Sequence, residues 1–169
     1  MPEFGIPMPL TVEHNHSLFD CGQPSLNLFL QCHAFDTQNA RLSRTYIMVC
    51  DDVIVAYYTL VHLSVTQEET PKKFGRGMPS LIPAILLARL AVDQNVQGRG
   101  LGRSLFSDAL KRTWAVMESG AAPVRLFVVD AKNSDALVYY KRFEMTPSPQ
   151  NPMRLFLPYK KLKQIYGQP

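Results

Sequence analysis

The chain has 169 residues, 46% of them hydrophobic and 19% charged, with a formal net charge of +4, which predicts a soluble globular protein with one sizeable core. No apolar run approaches the ~18 residues that a membrane-spanning helix needs. Three cysteines, Cys21, Cys32 and Cys50, form no C-x-x-C pair, and the four histidines have no partner at ligand spacing, so we expect reduced thiols and no metal site.

The opening MPEFGIP, residues 1–7, has no periodicity and precedes a second methionine, Met8. We expect it to be a leader outside the fold. It also lacks the basic start and long apolar core of a signal peptide, which favours a cytoplasmic protein. Residues 8–169 are predicted to form a single domain.

The first half of that domain alternates helix and strand signals. Residues 24–40 have apolar side chains at helical spacing, with Pro24 near the start. Residues 45–65 are rich in β-branched and aromatic side chains on both sides of Asp51-Asp52, which predicts a hairpin that turns at the acidic pair. Residues 66–83 contain three prolines and two glycines and are predicted to be mainly loop. Residues 84–92, AILLARLAV, predict a buried central strand.

The second half continues the same alternation. An amphipathic helix is predicted from Leu101 to Met117, and the run 122–131 predicts another buried strand. Residues 134–143 predict a short helix with Asn133 or Ser134 as its cap. Residues 153–166 predict a last strand that passes into a terminal helix. The alternation indicates an α/β (α+β) fold.

Between the central strand and the long helix lies the segment QGRGLG, which contains Gly98, Gly100 and Gly102. A strand that ends at a helix N-terminus presents unpaired backbone N–H groups, and glycines let a phosphate approach them closely. The segment lacks the Lys-Ser or Lys-Thr of a Walker loop, and it does not match the dinucleotide fingerprint G-x-G-x-x-G. A tight turn without a ligand is the alternative interpretation.

Through Gln97, Gly100 and Gly102, this segment resembles the Q/R-x-x-G-x-G/A motif of the GCN5-related N-acetyltransferases. The resemblance implies a central mixed, twisted sheet of about six strands flanked by helices. It also implies that the turn holds the pyrophosphate of acetyl-coenzyme A and that the strand before it pairs with the pantetheine arm. The cofactor-binding residues so implied are Leu90, Ala91, Val92, Gln97, Gly98, Arg99, Gly100, Leu101, Gly102, Arg103, Ser104 and Asn133.

Residues 10–163 are similar, segment by segment, to one branch of that superfamily, the acetyltransferase toxins of bacterial toxin–antitoxin pairs (the TacT-like toxins). The similar segments include FDCGQPSLNLFL, LARLAVD, ALVYYKRFEM and MRLFLPYKKL. The branch implies acetylation of the α-amine of an aminoacyl-tRNA, which stops translation. It further implies a homodimer and a small ribbon-helix-helix antitoxin protein.

In the family pattern, the tyrosine that protonates the departing thiolate corresponds to Tyr140 rather than Tyr139. Glu144 and Met145 depart from the Gly and Phe that are usual after it. Simple amphipathic packing of the two tyrosines is the alternative. Asn133 serves either as a contact to the cofactor or only as a helix cap. Asp93 ends the central strand and is a weaker candidate, since the α-amine of an aminoacyl ester needs no strong base.

Basic residues provide candidate contacts to RNA. Arg89 lies in an otherwise apolar strand, so it either reaches a carboxylate or faces a groove where RNA phosphates pass. Lys72, Lys73 and Arg76, with Tyr57 and Tyr58, are predicted to extend that basic surface. The chain after residue 140 also holds six Lys or Arg residues against Glu144 alone, which predicts either a phosphate-binding end or a solvated helix face.

Two other functions stay open at this point. An acetyltransferase of the same fold can act on a small amine or on a protein N-terminus. A protein that only binds coenzyme A would need the glycine turn but no acid. Tyr140 argues against the second alternative, and the basic surface argues mildly against a cationic substrate.

Overall fold

The computed structural model describes residues 3–168. Its strands are β1 (Met8–Pro9), β2 (Arg44–Cys50), β3 (Val53–Thr66), β4 (Leu81–Val92), β5 (Leu126–Asp130), β6 (Thr146–Pro147) and β7 (Arg154–Pro158). They form a seven-stranded sheet in the order β1-β2-β3-β4-β5-β7-β6. β4 and β5 pair in parallel, whereas the pairs β1–β2, β2–β3, β5–β7 and β6–β7 are antiparallel. The predicted α/β fold with a mixed central sheet is confirmed, and two two-residue strands bring the sheet to seven.

Within the described residues, six α-helices accompany the sheet. They are α1 (Pro24–Leu28), α2 (Ala34–Asn39), α3 (Lys72–Gly75), α4 (Leu101–Ser119), α5 (Ser134–Lys141) and α6 (Tyr159–Tyr166). A 3-10 turn, Gln94–Val96, separates β4 from the glycines before α4. The predicted loop over residues 66–83 is shorter than expected, because it contains α3 and the first residues of β4.

The helix predicted over residues 24–40 begins at Pro24 as expected but is not continuous. A π-helical turn, Phe29–His33, joins α1 to α2. Phe29 and Leu30 in this turn are buried in the core. A π turn changes which face of a helix its side chains occupy, and apolar spacing alone does not reveal it.

The predicted hairpin is confirmed, with its turn at the acidic pair. Asp51 and Asp52 have φ angles of 49° and 62°, which is the left-handed pair of a type I′ turn. Two-residue turns of this type match the twist of the flanking strands, and Asp tolerates the conformation better than most residues. The adjacent register shift between Met48 and Val49 is a β-bulge.

This turn provides a stability prediction. Asp52→Val should lower the free energy of unfolding by about 1–2 kcal/mol, because a β-branched side chain resists the left-handed region. Asp52→Gly should match or exceed the wild type, since glycine adopts that region freely. Urea denaturation followed by circular dichroism measures both. Equal stability of the Val and Gly variants would contradict the turn assignment.

The chain forms two compact units: Met1–Val61 with Ala88–Ala109, and His62–Leu87 with Leu110–Pro169. Aromatic contacts in the first include the ring of Tyr57 against those of Phe19 and Phe29, with centroids 5.5 and 6.3 Å apart. The core of the second consists of Val65, Ile82, Ala84, Leu126, Val128 and Phe156. The single-domain organisation of residues 8–169 stays a prediction.

Part of the predicted leader contacts the fold. The Gly5 N–H donates a hydrogen bond of 3.0 Å to the Val49 carbonyl oxygen, although Ile6 is exposed. Residues 1 and 2 lie outside the described residues. That residues 1–7 form a leader stays a prediction.

Candidate functional site

Three closely spaced glycines lie where the chain passes from β4 into α4: Gly98 and Gly100 precede the helix, and Gly102 is in its first turn. Gly98 and Gly100 have φ angles of 77° and 82°, in the left-handed region that favours glycine. A Cβ atom added to either residue would meet no heavy atom within 4 Å. The turn therefore leaves open space directly against its backbone.

Backbone donors and positive side chains adjoin that space. The first N–H groups of an α-helix have no partner within the helix, and its dipole favours an anion beside them. Here the Ser104 N–H donates to the Gly100 carbonyl oxygen at 3.1 Å, so the preceding N–H groups are the ones placed to meet a ligand. Arg99 and Arg103 are exposed, whereas Leu101 is buried and can contribute only through its backbone. The turn fits a pyrophosphate.

The third glycine has a different role. A Cβ atom on Gly102 would meet Leu90 and Val92 side-chain atoms at 3.8 and 3.9 Å, which is ordinary van der Waals contact. An alanine would therefore fit here without displacing β4, which explains why this position of the motif admits Gly or Ala.

Hydrogen bonds of Gln97 and Asp93 hold the segment between β4 and the glycines in place. The Gln97 amide nitrogen donates to the carbonyl oxygens of Val92 at 2.9 Å and Cys21 at 3.2 Å. Gln97, predicted to bind the cofactor, thus ties the turn to the end of β4. The buried Asp93 carboxylate accepts from the N–H groups of Asp20 at 3.0 Å and Asn95 at 2.9 Å. These bonds engage both oxygens of Asp93, which does not suit a base for the substrate amine.

Asp20 contacts the residues just before the glycine turn, and no pattern in the sequence predicted this. Its carboxylate accepts from the Gly22 N–H and the Asn27 amide at 2.8 Å, and from the Gln94 amide at 3.0 Å. The first two bonds hold the pKa of Asp20 below its usual value. Asp20 lies in the FDCG segment, but its partners Asn27 and Gln94 are far apart in the sequence. Sequence pattern alone therefore gave it no role.

Arg89, three residues before the end of β4, stacks on an aromatic ring. Its guanidinium carbon lies 3.6 Å from the centroid of the Phe29 ring, a cation–π contact. Stacking leaves the N–H groups at the edge of the guanidinium plane, where they can meet phosphate oxygens. The sequence predicted a carboxylate or an open groove beside Arg89, but Phe29 was not predicted as its partner.

Tyr57 and Tyr58 do not extend a basic surface, because both are fully buried. The Tyr57 hydroxyl donates to the Leu26 carbonyl oxygen at 2.8 Å, and the Tyr58 hydroxyl donates to Asp108 at 2.5 Å. Burial raises the pKa of Tyr57 well above its ordinary value, and the charge of Arg89 offsets part of the rise. Both tyrosines are core residues.

The second compact unit holds the predicted acid on α5. Asn133 caps this helix, since its carboxamide oxygen accepts from the Ala136 N–H at 2.9 Å. A cofactor contact by Asn133 would have to use the amide nitrogen. The rings of Tyr139 and Tyr140 meet edge to face, 5.4 Å apart. Burial, with a smaller effect of Tyr139, raises the pKa of Tyr140 to about 12, so its hydroxyl keeps its proton at neutral pH.

The departure from the family pattern after Tyr140 is accommodated without glycine. Glu144 has a φ angle of 60°, the conformation that explains why glycine is usual there. Its carboxylate forms an ion pair with Lys161 of α6, and Met145 is buried. The turn after α5 therefore tolerates a side chain at a conformational cost.

The predicted RNA contacts Lys72, Lys73 and Arg76 are exposed at the one-turn helix α3 of the second unit. Arg154 is unlike the other basic residues near the end of the chain. It makes two hydrogen bonds to Asp130 at 2.7 and 2.8 Å and one to Glu69 at 3.0 Å. These carboxylates raise the pKa of Arg154 and neutralise its charge.

The structure thus brings the predicted residues together in two sets. The strand end 89–92 and the turn 97–104 belong to the first unit, and Asn133 caps the helix of Tyr140 in the second. Within residues 3–168, no helix is long and apolar enough to cross a membrane. That same part of the chain holds no group of three or more His, Cys, Asp or Glu side chains suited to a metal ion.

Known proteins resemble the chain along nearly its whole length. A tRNA-acetylating toxin of Mycobacterium tuberculosis is 32% identical over 167 residues, covering 99% of each chain. A probable toxin TacT of Sinorhizobium fredii is 28% identical over 163 residues, covering 91% of this chain and 90% of the relative. No protein-family model matches the chain.

Solved toxin structures share the fold. The toxin AtaT in complex with acetyl-methionyl-tRNAfMet superposes with a TM-score of 0.87 at 28% identity, covering 97% of this chain and 99% of AtaT. A Tyr-to-Phe mutant of AtaT, bound to acetyl-CoA and the C-terminus of the antitoxin AtaR, has a TM-score of 0.80 at 28% identity. The match covers 98% of this chain and 99% of the AtaT chain. With a glycine turn that suits a pyrophosphate and a relative 32% identical from end to end, the chain belongs to the family of tRNA-acetylating toxins.

Proposed function

We propose that this protein is an acetyl-CoA-dependent N-acetyltransferase toxin that acetylates the α-amine of an aminoacyl-tRNA and thereby blocks translation. The observation that carries the proposal is its 32% identity, over 99% of both chains, to a tRNA-acetylating toxin. The open glycine turn at the end of β4 provides a seat for the donor's pyrophosphate. The AtaT complexes with acetyl-methionyl-tRNAfMet and with acetyl-CoA add support.

The donor is held by backbone more than by side chains. The N–H groups at the start of α4 bind the pyrophosphate, and Arg99 and Arg103 neutralise its charge. The backbone of Leu90, Ala91 and Val92 at the end of β4 pairs with the pantetheine arm. Gln97 contributes indirectly, because its amide is engaged with the Val92 and Cys21 carbonyl oxygens. Ser104 and Asn133 complete the proposed cofactor set.

Bound acetyl-CoA supplies the acetyl group as a thioester, and the aminoacyl α-amine is the nucleophile. Tyr140 acts as general acid and gives its hydroxyl proton to the leaving sulfur. Its pKa of about 12 keeps that proton in place at neutral pH. The amine loses a proton as it becomes an amide, so a proton is available to restore the Tyr140 hydroxyl. This chemistry needs neither a metal ion nor a nucleophilic side chain.

The biological setting follows from the same family membership. We propose that the protein works in the cytoplasm as a homodimer and that a small ribbon-helix-helix antitoxin neutralises it. The AtaT complex with the C-terminus of AtaR supports an antitoxin tail as the inhibitory segment. Arg89, with its guanidinium carbon held over the Phe29 ring, is proposed to bind a phosphate of the tRNA.

Incubation with radiolabelled acetyl-CoA and total tRNA tests the proposed function. Label should enter charged tRNA, in the α-amide of its amino acid, and should not enter the same tRNA after mild alkaline deacylation. Transfer to free amino acids, polyamines or protein N-termini at equal or higher rates would favour an ordinary acetyltransferase. Binding of acetyl-CoA without transfer to any of these acceptors would indicate a non-catalytic binding protein.

A further inference from the structure

We propose that the phosphate backbone of the tRNA substrate binds a groove between α3 and the first turn of α6, which we call the α3–α6 groove. This inference rests on the proposed function, since it assigns a second contact surface to the same substrate. The groove is lined by Lys73, Phe74, Glu144, Thr146, Pro158, Lys160, Lys161 and Gln164. It unites two basic segments that are about ninety residues apart in the sequence.

The groove carries an excess of positive charge. Its continuation along α6, lined by Lys160, Lys163, Gln164, Gly167 and Gln168, adds a further lysine. Together the two stretches present four lysines against Glu144, which pairs with Lys161. On the α3 side, the Lys73 ammonium lies 5.0 Å from the centroid of the Phe74 ring, which positions the charge at the groove. This pattern suits a chain of phosphates.

Two lysines of α6 occupy positions at which a positive charge lowers the stability of the helix. Lys160 and Lys161 are in the first turn of α6, at the positive end of its dipole, where basic side chains are unfavourable. The residue before the helix is Pro158, whose side chain has no oxygen to cap the first N–H groups. An anion beside this turn would relieve both defects. The arrangement is therefore better explained by a bound phosphate than by the stability of α6.

The packing of α6 sets which way its lysines face. Leu162 is fully buried and anchors the helix. Lys160 and Lys163, three residues apart, share one helix face, and both are exposed. That face adjoins the groove and its continuation. Lysines spaced along one face can follow successive phosphates.

The test measures the affinity of deacylated total tRNA across a range of salt concentrations, with fluorescence anisotropy as the readout. The double variant Lys160→Gln with Lys163→Gln should weaken binding and reduce the slope of log affinity against log salt by about 0.7–0.9 per lost phosphate contact. The matched control is Lys111→Gln with Lys132→Gln, two exposed lysines outside the groove. It removes the same net charge and should leave the slope nearly unchanged.

Two single variants should change the affinity for tRNA in opposite directions. Glu144→Gln should tighten tRNA binding and steepen the salt slope, because it releases Lys161 for a phosphate. Lys160→Gln should weaken binding while raising the melting temperature of the free protein by about 1–3 °C, because it removes a charge that opposes the helix dipole. If α6 presents only a solvated face without a ligand, Lys160→Gln would still raise the melting temperature but would leave tRNA affinity unchanged, which would contradict the groove assignment.

The experiments distinguish an error in the groove assignment from an error in the proposed function. If wild-type protein acetylates charged tRNA and the groove variants bind tRNA with the same slope as the control, the groove assignment is wrong and the function stands. If the groove variants lose affinity only for the C-terminal tail of the antitoxin, the groove is an antitoxin surface and the inference is overturned. If wild-type protein acetylates no charged tRNA, the function itself fails.

Discussion

Replacing Tyr140 by Phe should lower the rate of acetyl transfer to charged tRNA by about 10²–10³-fold, in the range that a general acid contributes. The ring remains, so its edge-to-face contact with Tyr139 and the packing of α5 should persist. The affinity for acetyl-CoA should change little, because the proposed cofactor contacts lie on other residues. Single-turnover kinetics with saturating donor measures the rate, and calorimetry measures the affinity.

Tyr139→Phe is the matched control, since it removes a hydroxyl from the neighbouring ring. It should cost far less activity than Tyr140→Phe. The reverse order would mean that the family alignment is displaced by one residue and that Tyr139 is the acid.

The pH profile gives an independent check on Tyr140. A pKa of about 12 means that Tyr140 keeps its proton throughout the range in which aminoacyl-tRNA survives. The wild-type rate should therefore rise as the substrate amine loses its proton and should show no alkaline fall below about pH 9. A fall near pH 8 that disappears in Tyr140→Phe would contradict the raised pKa.

Replacing Gly100 by Asp should abolish the stabilisation of the protein by acetyl-CoA. At a hundredfold excess over Kd, the donor should raise the wild-type melting temperature by about 5–10 °C, because it binds the native state only. In the variant, a side chain would occupy the open space against the turn and place a negative charge beside the pyrophosphate. Differential scanning fluorimetry with and without acetyl-CoA measures both proteins.

The chain offers a matched control at Gly120, which follows α4. Gly120 also has a left-handed φ angle, 67°, and also faces open space. Gly120→Asp should therefore carry a similar backbone cost in the absence of ligand but retain the full acetyl-CoA shift. An undiminished shift in Gly100→Asp would show that the donor's phosphates bind elsewhere.

Much of the fold could be predicted because its elements have strong local signals. The apolar run of β4, the β-branched and aromatic residues on either side of Asp51-Asp52 and the stripe on α4 all matched the structure. The two-residue strands β1 and β6 were missed, because two residues are too few to show a period. The π turn at Phe29–His33 was missed because the spacing of apolar residues hardly distinguishes it from continuous helix.

Some features of the candidate site could likewise be predicted from local sequence, and others could not. The glycines, their place between strand and helix, and Tyr140 are read from short segments, since each is a local motif. The hydrogen bonds of Asp20 to Asp93 and Gln94, the contact of Arg89 with the Phe29 ring and the burial of Tyr57 depend on residues distant in the sequence. No local pattern encodes those partners.

The sequence by itself determined the order of the longer strands and helices, the glycine turn and the family that this turn and the flanking segments resemble. Only the tertiary structure decided which charges are available to a ligand. Arg154 is neutralised by Glu69 and Asp130, whereas Lys73 and Lys160 line one groove. The physical reason is that a charged side chain acts through its neighbours in space, and those neighbours are set by the packing of elements far apart in the chain.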